Sequence, residues 1–481
     1  MPNKTIRDLL SLEISRVAPL IRAREVSPVE LLEAALDRID ALNPSLNAFI
    51  TVAAVEALDA ARKAEHEILR RRHRGPLHGI PIPLKDNIET KNLCTTAGSR
   101  ILANYIPAQD ADVARALRRA GAIIIGKTNL HEFAYGITSE NPHYSTARNP
   151  WDATRVAGGS SGGSAIAVAT GMGFASVGTD TGGSIRIPSS LCGIVGLKPT
   201  FGRVSCRGVI PLSPSLDHVG PLTRSAADAA LMLEVISDPR RAFRSPFGTR
   251  NHRAVHVKKM IVGLPRDFFF TRADEEIRLA VLSAIKLLEK SGMRIEEIEL
   301  PRVAELGDAG TPIALAEARR YHESRGFYPA RAEEYGEDVR KRLEQGASVS
   351  AIEYLQALET REHAALGFDA TFGRAEVIVA PATPIAAPKI GETTVRIRGV
   401  DETVRSALVQ ISRPANVSGN PAISIPCGWT KNGLPIGLQL IGKHWDEARL
   451  LQIAEAASQE LAPRVAAGIK VKELAAKRSA D

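Results

Sequence analysis

Residues 157–202 read AGGSSGGSAIAVATGMGFASVGTDTGGSIRIPSSLCGIVGLKPTFG. Twelve of the chain's 38 glycines fall between Gly158 and Gly202, where even usage would place roughly four. Such a density brings backbone close to something, because a glycine offers no side chain to block an approach. The stretch holds two serine-bearing glycine loops, around Ser160 and Ser184, separated by an apolar segment. The uncharged run from Val156 to Thr179 has the length of a membrane span, but its seven glycines and four serines argue against one.

On either side of this stretch, short apolar runs alternate with helical periods. Ile80–Leu84, Ala122–Ile125, Phe174–Gly178, Met260–Leu264 and Val377–Ala380 read as strands. In Asp274–Lys290, Ile277, Val281, Ala284, Ile285 and Leu288 share one helical face, with Gly292 just beyond as a candidate cap. Ala422–Pro426 and Leu434–Ile441 flank Asn432-Gly433, the signature of an antiparallel pair. Strands alternating with helices predict an α/β fold with a mixed sheet.

Residues 1–70 read as a helical segment packed on the core. A helix starts at Ser27-Pro28-Val29-Glu30, a capping box with proline at the first position, and Asn43-Pro44 is expected to stop it. Residues 71–470 read as the main α/β body, and 471–481 as a charged, alanine-rich tail. No period of 20 to 50 residues recurs.

Composition is that of an ordinary globular chain: 481 residues, 44% hydrophobic, 24% charged, net charge +8. The positive clusters, Arg70–Arg72 with Arg74 and the seven Lys/Arg between Arg240 and Lys259, come with no nucleic-acid motif and read as solvated surface. Four cysteines without a CxxC pair suit a reducing, cytoplasmic setting, and Met1–Arg16 lacks the apolar core of a signal peptide. No metal motif is present, and no cofactor is expected.

Gly182-Gly183-Ser184 can present a hydroxyl beside unobstructed N–H groups, a nucleophile with an oxyanion hole, or the glycines can simply serve tight turns. Asp180 and Arg186 on either side, and the second serine loop before them, favour the first reading. Serine needs a base, and no histidine lies near in sequence. Lys85 closes a proline-stiffened apolar strand, where desolvation would leave its amine neutral.

Two literal matches compete with this reading. Gly121–Thr128 fits GxxxxGK[ST], but its middle is a buried-strand run rather than a phosphate-cradling loop. Gly158–Gly162 fits GxSxG, yet Arg155-Val156-Ala157 makes a short, polar lead-in for the strand a nucleophile elbow requires.

GGSSGGSA, GTDTGGSIR and GLKPTFGRVS together resemble the amidase signature family. PIPLKDNI, GKTNLHEFAYG, ENPHYSTARNPWD, SLDHVGPLTRS, PANVSGNPAISIPCG and GLPIGLQLIG extend the resemblance over most of the chain. It implies one large domain with a mixed twisted sheet covered by helices on both sides. It also implies a Ser-cisSer-Lys triad of Ser184 as nucleophile, Ser160 as bridge and Lys85 as base, with a cis peptide before Ser160. The N–H groups of Thr181, Gly182, Gly183 and Ser184 would hold the oxyanion, Tyr135 and Gly136 would border the acyl pocket, and Asp180 and Arg186 would order the nucleophile loop.

Within that family, the glutaminase subunit of tRNA-dependent amidotransferases is the rival reading. It is expected to carry MDEFAMG where this chain has Leu130–Gly136, and an Asp where this chain has Val409. Valine cannot pair with an ammonium group. The sequence therefore predicts a free-standing hydrolase of a small-molecule amide, with no nucleic-acid or membrane partner, whose N-terminal helices offer a face for a homodimer. The variable region 301–373 sets the substrate and does not name it.

Overall fold

The computed structural model describes residues 5–247 and 260–478, with side chains to residue 466. Residues 248–259 of the basic stretch and 479–481 of the tail lie outside the described residues.

Strands in the first half are β1 (Phe49–Val52), β2 (Pro81–Lys85), β3 (Ile123–Thr128), β4 (Arg148–Asn149), β5 (Asp152–Val156), β6 (Ser176–Asp180), β7 (Val195–Lys198) and β8 (His218–Thr223). Those in the second half are β9 (Ile261–Pro265), β10 (Arg294–Ile298), β11 (Val377–Pro381), β12 (Thr394–Ile397), β13 (Val400–Thr403), β14 (Ala422–Trp429) and β15 (Pro435–Gly442). Eleven of them make one sheet in the order β1-β3-β2-β6-β8-β7-β14-β15-β11-β9-β10. It is mixed: β3, β2 and β6 run parallel, as do β11, β9 and β10, while the strands between them pair antiparallel. The α/β architecture with helices flanking a mixed sheet is thus the one expected.

Alternation along β3 shows how the core is divided. Ile123 and Ile125 join the cluster under Leu32, Ile39, Ile166 and Val168, while Ile124 faces the larger cluster with Ile82 and Leu84. Successive residues point to opposite faces, so each face of the sheet carries its own apolar layer. Among the described residues no helix is long and apolar enough to cross a membrane, and all four cysteines are free.

The N-terminal segment departs from expectation in two places. Helix Pro28–Leu46 starts at Ser27, whose hydroxyl accepts from Val29 and Glu30 N–H, but it continues through Pro44. Pro44 sits in the last turn, which closes instead through the Asn47 N–H on Asn43 C=O at 2.8 Å. The segment is also not wholly helical: Phe49–Val52 forms the edge strand β1, antiparallel to β3.

The two literal motifs resolve differently. Ile123–Thr128 is a strand, and Lys127 is buried with its Nζ on Ile88 C=O (2.6 Å), Thr95 Oγ1 (2.8 Å) and the Asp86 carboxylate (3.3 Å). That amine is spent inside the protein and cannot reach a phosphate. Ala157 and Gly158 do follow a strand, β5, but it belongs to a two-stranded hairpin with β4 outside the main sheet.

Lys127→Ala would leave the Asp86 carboxylate buried without its cation, a change that costs about 3–5 kcal/mol. A marked fall in melting temperature is expected, with no ATP-dependent stabilisation of the unmutated protein. A thermal shift with ATP that disappears in the variant would restore the phosphate-loop reading.

Candidate active site

Because β2 and β6 are parallel neighbours, with Leu84 opposite Val177, both deliver their last residues to the same edge of the sheet. Lys85 ends β2, and Thr179 and Asp180 end β6. Lys85 is buried, its Nζ hydrogen-bonded to Ser160 Oγ at 2.7 Å and Thr179 Oγ1 at 2.6 Å. Burial lowers the amine to about 7, outweighing the pull of the Asp180 and Asp217 carboxylates in the other direction. Near neutrality a large fraction is therefore the free base.

The Gly159–Ser160 peptide is cis. Ser160 C=O accepts from the His131 N–H (3.2 Å) and Ser139 Oγ (3.4 Å), which fixes the loop on its far side. The two serine loops meet directly: the Ser161 N–H donates to Ser184 C=O at 3.2 Å, and Ser161 Oγ donates to Thr179 C=O at 3.2 Å. Sequence separation between Lys85, Ser160 and Ser184 thus collapses at one end of the sheet.

Asp180 and Arg186 frame the second loop. Asp180 accepts from the Gly183 N–H (2.8 Å) and the Ile185 N–H (3.1 Å), and its oxygens are gripped by Arg186 Nε (3.1 Å) and Nη2 (3.0 Å). Arg186 also donates to Ser412 C=O (2.9 Å), Gln439 Oε1 (2.6 Å) and Asn416 Oδ1 (2.6 Å), all buried. Burial acts to raise the Asp180 carboxyl, but the Arg186 guanidinium outweighs it and holds the group well below the usual carboxylate range. Neither side chain lines the cavity onto which Ser184 opens.

That cavity is a narrow neck of ≈ 30 Å³ lined also by Thr181, Gly182, Tyr135, Gly136, Arg405 and Arg413. The neck leads to an outer cavity of ≈ 530 Å³ that shares Tyr135, Val409, Arg405 and Arg413. Of the four expected oxyanion donors, Gly183 is absent from this lining because its N–H is committed to Asp180. Thr181, Gly182 and Ser184 face the cavity. Gly136 borders it, and its missing side chain makes room for the His131 ring, which bonds Asp338 at 2.7 Å.

Several site residues carry no sequence signal of their own. Thr179 shares the Lys85 amine. Asp217 accepts from Thr181 Oγ1 (2.5 Å) and the Leu212 N–H (3.0 Å), anchoring the 181–184 loop from a third segment, and burial pushes its carboxyl up to about 6. Asn416 ties Asp180 to the PANVSG segment at 2.7 Å. Thr179, Asp217 and Asn416 lie inside family-like motifs, the one available clue; Arg405 and Arg413 lie in none. Among the described residues no group of His, Cys, Asp or Glu is arranged to hold a metal ion.

Comparison with known proteins gives the family. The family model described as Amidase matches residues 30–451. The A subunit of the glutamyl-tRNA(Gln) amidotransferase of Carboxydothermus hydrogenoformans is 39% identical, the match covering 94% of this chain and 98% of that one. A crystal structure of an amidase superposes with a TM-score of 0.86 at 34% identity, covering 94% of this chain and all (100%) of the other. The corresponding amidotransferase subunit of Thermotoga maritima superposes with a TM-score of 0.76 at 33% identity, covering 95% and 96%. These relatives correct one expectation. Proteins so similar over their full length are by name subunits of a tRNA amidotransferase, which overturns the expectation of a free-standing enzyme with no nucleic-acid partner.

Gly183 is the tightest point of the loop, with φ at +121°; a Cβ there would lie 2.6 Å from Ile187 Cδ1 and 2.7 Å from Ser412 Cβ. Gly183→Ala is expected to cost about 1–3 kcal/mol of stability and to slow covalent labelling of Ser184 by a fluorophosphonate. Unchanged melting and labelling would show that the loop does not depend on this approach.

Proposed function

The chain belongs to the amidase family, and on that premise we propose that it cleaves a carboxamide C–N bond through an acyl-enzyme on Ser184. The observation that carries this reading is the buried Lys85 amine, held near neutrality at about 7 and 2.7 Å from Ser160 Oγ. In this mechanism neutral Lys85 takes the Ser160 proton as Ser160 takes that of Ser184, and Ser184 Oγ bonds to the carbonyl carbon. Backbone N–H groups of Thr181, Gly182 and Ser184 receive the oxyanion, a contribution of about 3–4 kcal/mol per donor in comparable enzymes. The relay then returns its proton to the departing nitrogen as the C–N bond breaks. Water adds to the ester by the same route, releasing the acid and restoring Ser184.

As to setting, the relatives support a subunit that releases ammonia for a partner better than they support the free-standing hydrolase expected from sequence. A second reading, hydrolysis of an amide other than glutamine, has one specific observation in its favour. Val409, not an acid, lines both the neck and the outer cavity. Glutaminase activity that appears only on co-expression with partner subunits would decide for the first setting.

Intact-mass analysis after fluorophosphonate treatment should show a single adduct that is lost in Ser184→Ala; an adduct retained in that variant would remove Ser184 as nucleophile. The labelling rate should rise as pH passes upward through about 7, because the lowered amine is protonated and inactive below that value and free above it. Lys85→Ala is expected to cut the rate by about 10²–10⁴ and to abolish this pH step. A variant that labels at the native rate near neutrality would exclude Lys85 as the base.

A further inference from the structure

The neck onto which Ser184 opens is also lined by three polar side chains that the fold leaves largely unpartnered. Tyr135 is buried, yet its hydroxyl has no hydrogen-bond partner among the described residues. Leaving a buried donor unmade is costly, so its persistence at the mouth of a cavity argues for a ligand. Three guanidiniums stand beside it, of which Arg342, 5.5 Å from the ring centroid, is spent on the Tyr135 C=O and on Asp338. Arg405 lies over the Tyr135 ring at 5.8 Å and has no hydrogen bond or ion pair among the described residues. Arg413 donates only to Thr311 Oγ1, at 2.5 Å, and pairs with no carboxylate among the described residues.

The surroundings do not neutralise these charges. The neck holds no Asp or Glu. In the outer cavity Asp338 is already engaged by Arg342 (2.8 Å) and His131 (2.7 Å), which leaves Asp308 as the other acid. Burial, together with neighbouring Arg342 and Arg413, brings Arg405 down to about 9, and burial brings Arg413 down to about 10. Both remain cationic near neutral pH. Like charges crowded in this way gain a large electrostatic benefit from an anion placed among them.

We propose that Tyr135, Arg405 and Arg413 form an anion subsite for the acyl part of the substrate, which is therefore a short ω-amide bearing a carboxylate and no ammonium group. The carboxylate accepts from the two guanidiniums and the tyrosine hydroxyl while the amide carbon reaches Ser184. The size of the neck, ≈ 30 Å³, restricts the chain between the two ends to a few carbons. An ammonium group would meet Val409 and the same two cations. The inference rests on the acyl-enzyme reading above, sides with its second setting, an amide other than glutamine, and adds the substrate class to it.

The test measures protection of Ser184 from a fluorophosphonate by malonamate, succinamate and glutaramate, by their uncharged isosteres (the methyl-terminated amides of equal length), and by glutamine. Glutaramate is glutamine without its α-amino group, so that pair isolates the ammonium. The best anionic amide is expected to protect at a concentration about tenfold or more below its isostere, and glutaramate below glutamine. Arg405→Gln and Arg413→Gln should each shrink the anionic advantage severalfold, with Arg405→Lys restoring part of it; circular dichroism and residual Ser184 labelling establish that the variants are folded. Equal protection by isosteres, glutamine protecting as well as glutaramate, or an advantage unmoved in both variants would overturn the inference. So would absence of protection by every anionic amide while Ser184 still labels, an outcome that leaves the acyl-enzyme reading standing. Failure of Ser184 to label at all would instead remove that reading, and the inference with it.

Discussion

A carboxylate and a guanidinium sealed from water at the end of β6 hold this site together. Asp180 and Arg186 are both fully buried and meet through two hydrogen bonds of 3.0 and 3.1 Å. Isolated, either charge would be very costly to bury. Paired, they use their remaining hydrogen-bonding capacity on the backbone of the 181–184 loop, on Ser412, on Asn416 and on Gln439 of β15. Three distant stretches of chain are thereby fixed to one another, and Ser184 is aimed by that frame rather than by its own contacts. The same Asp180 pulls the Lys85 amine toward its charged form, but loses to burial. The site therefore places a firmly ionised pair next to an amine that is not firmly ionised, and the difference comes from how well each charge is compensated.

Much of this is legible in the residues. A lysine closing a proline-stiffened apolar strand reads as desolvated, and it is buried. The five apolar runs that read as strands all overlap strands of the main sheet, because period and length suffice where packing agrees with propensity. Local signals fail where tertiary context outweighs them. Pro44 reads as the end of a helix but occupies its last turn, where the lost N–H matters little. Phe49–Val52 sits in a segment that reads as helical and becomes an edge strand because β3 offers it a partner. Gly183 counts by resemblance among the oxyanion donors, while its N–H is spent on Asp180.

What no local pattern can disclose is the wall opposite Ser184. Tyr135, Arg405 and Arg413 come from three places in the chain, and only folding sets an unpartnered hydroxyl against two unneutralised cations. This division has a physical basis. The proposed acyl-transfer machinery sits on strand ends and glycine loops whose geometry the backbone dictates, whereas the proposed recognition falls to side chains that a single substitution can reverse in charge. Relatives that share the machinery, including the amidotransferase subunits, therefore inform the chemistry more directly than they inform the substrate.

The proposed relay depends most on the protonation state of Lys85. With lysine labelled at Cε with carbon-13, and Lys85→Met to assign the signal, its titration can be followed directly in the folded protein. A single Lys85 transition near 7 is expected, some three units below an ordinary lysine at about 10.4. A Lys85 that keeps its charge beyond about pH 10, the ordinary lysine range, would contradict the free-base relay on which the mechanism rests.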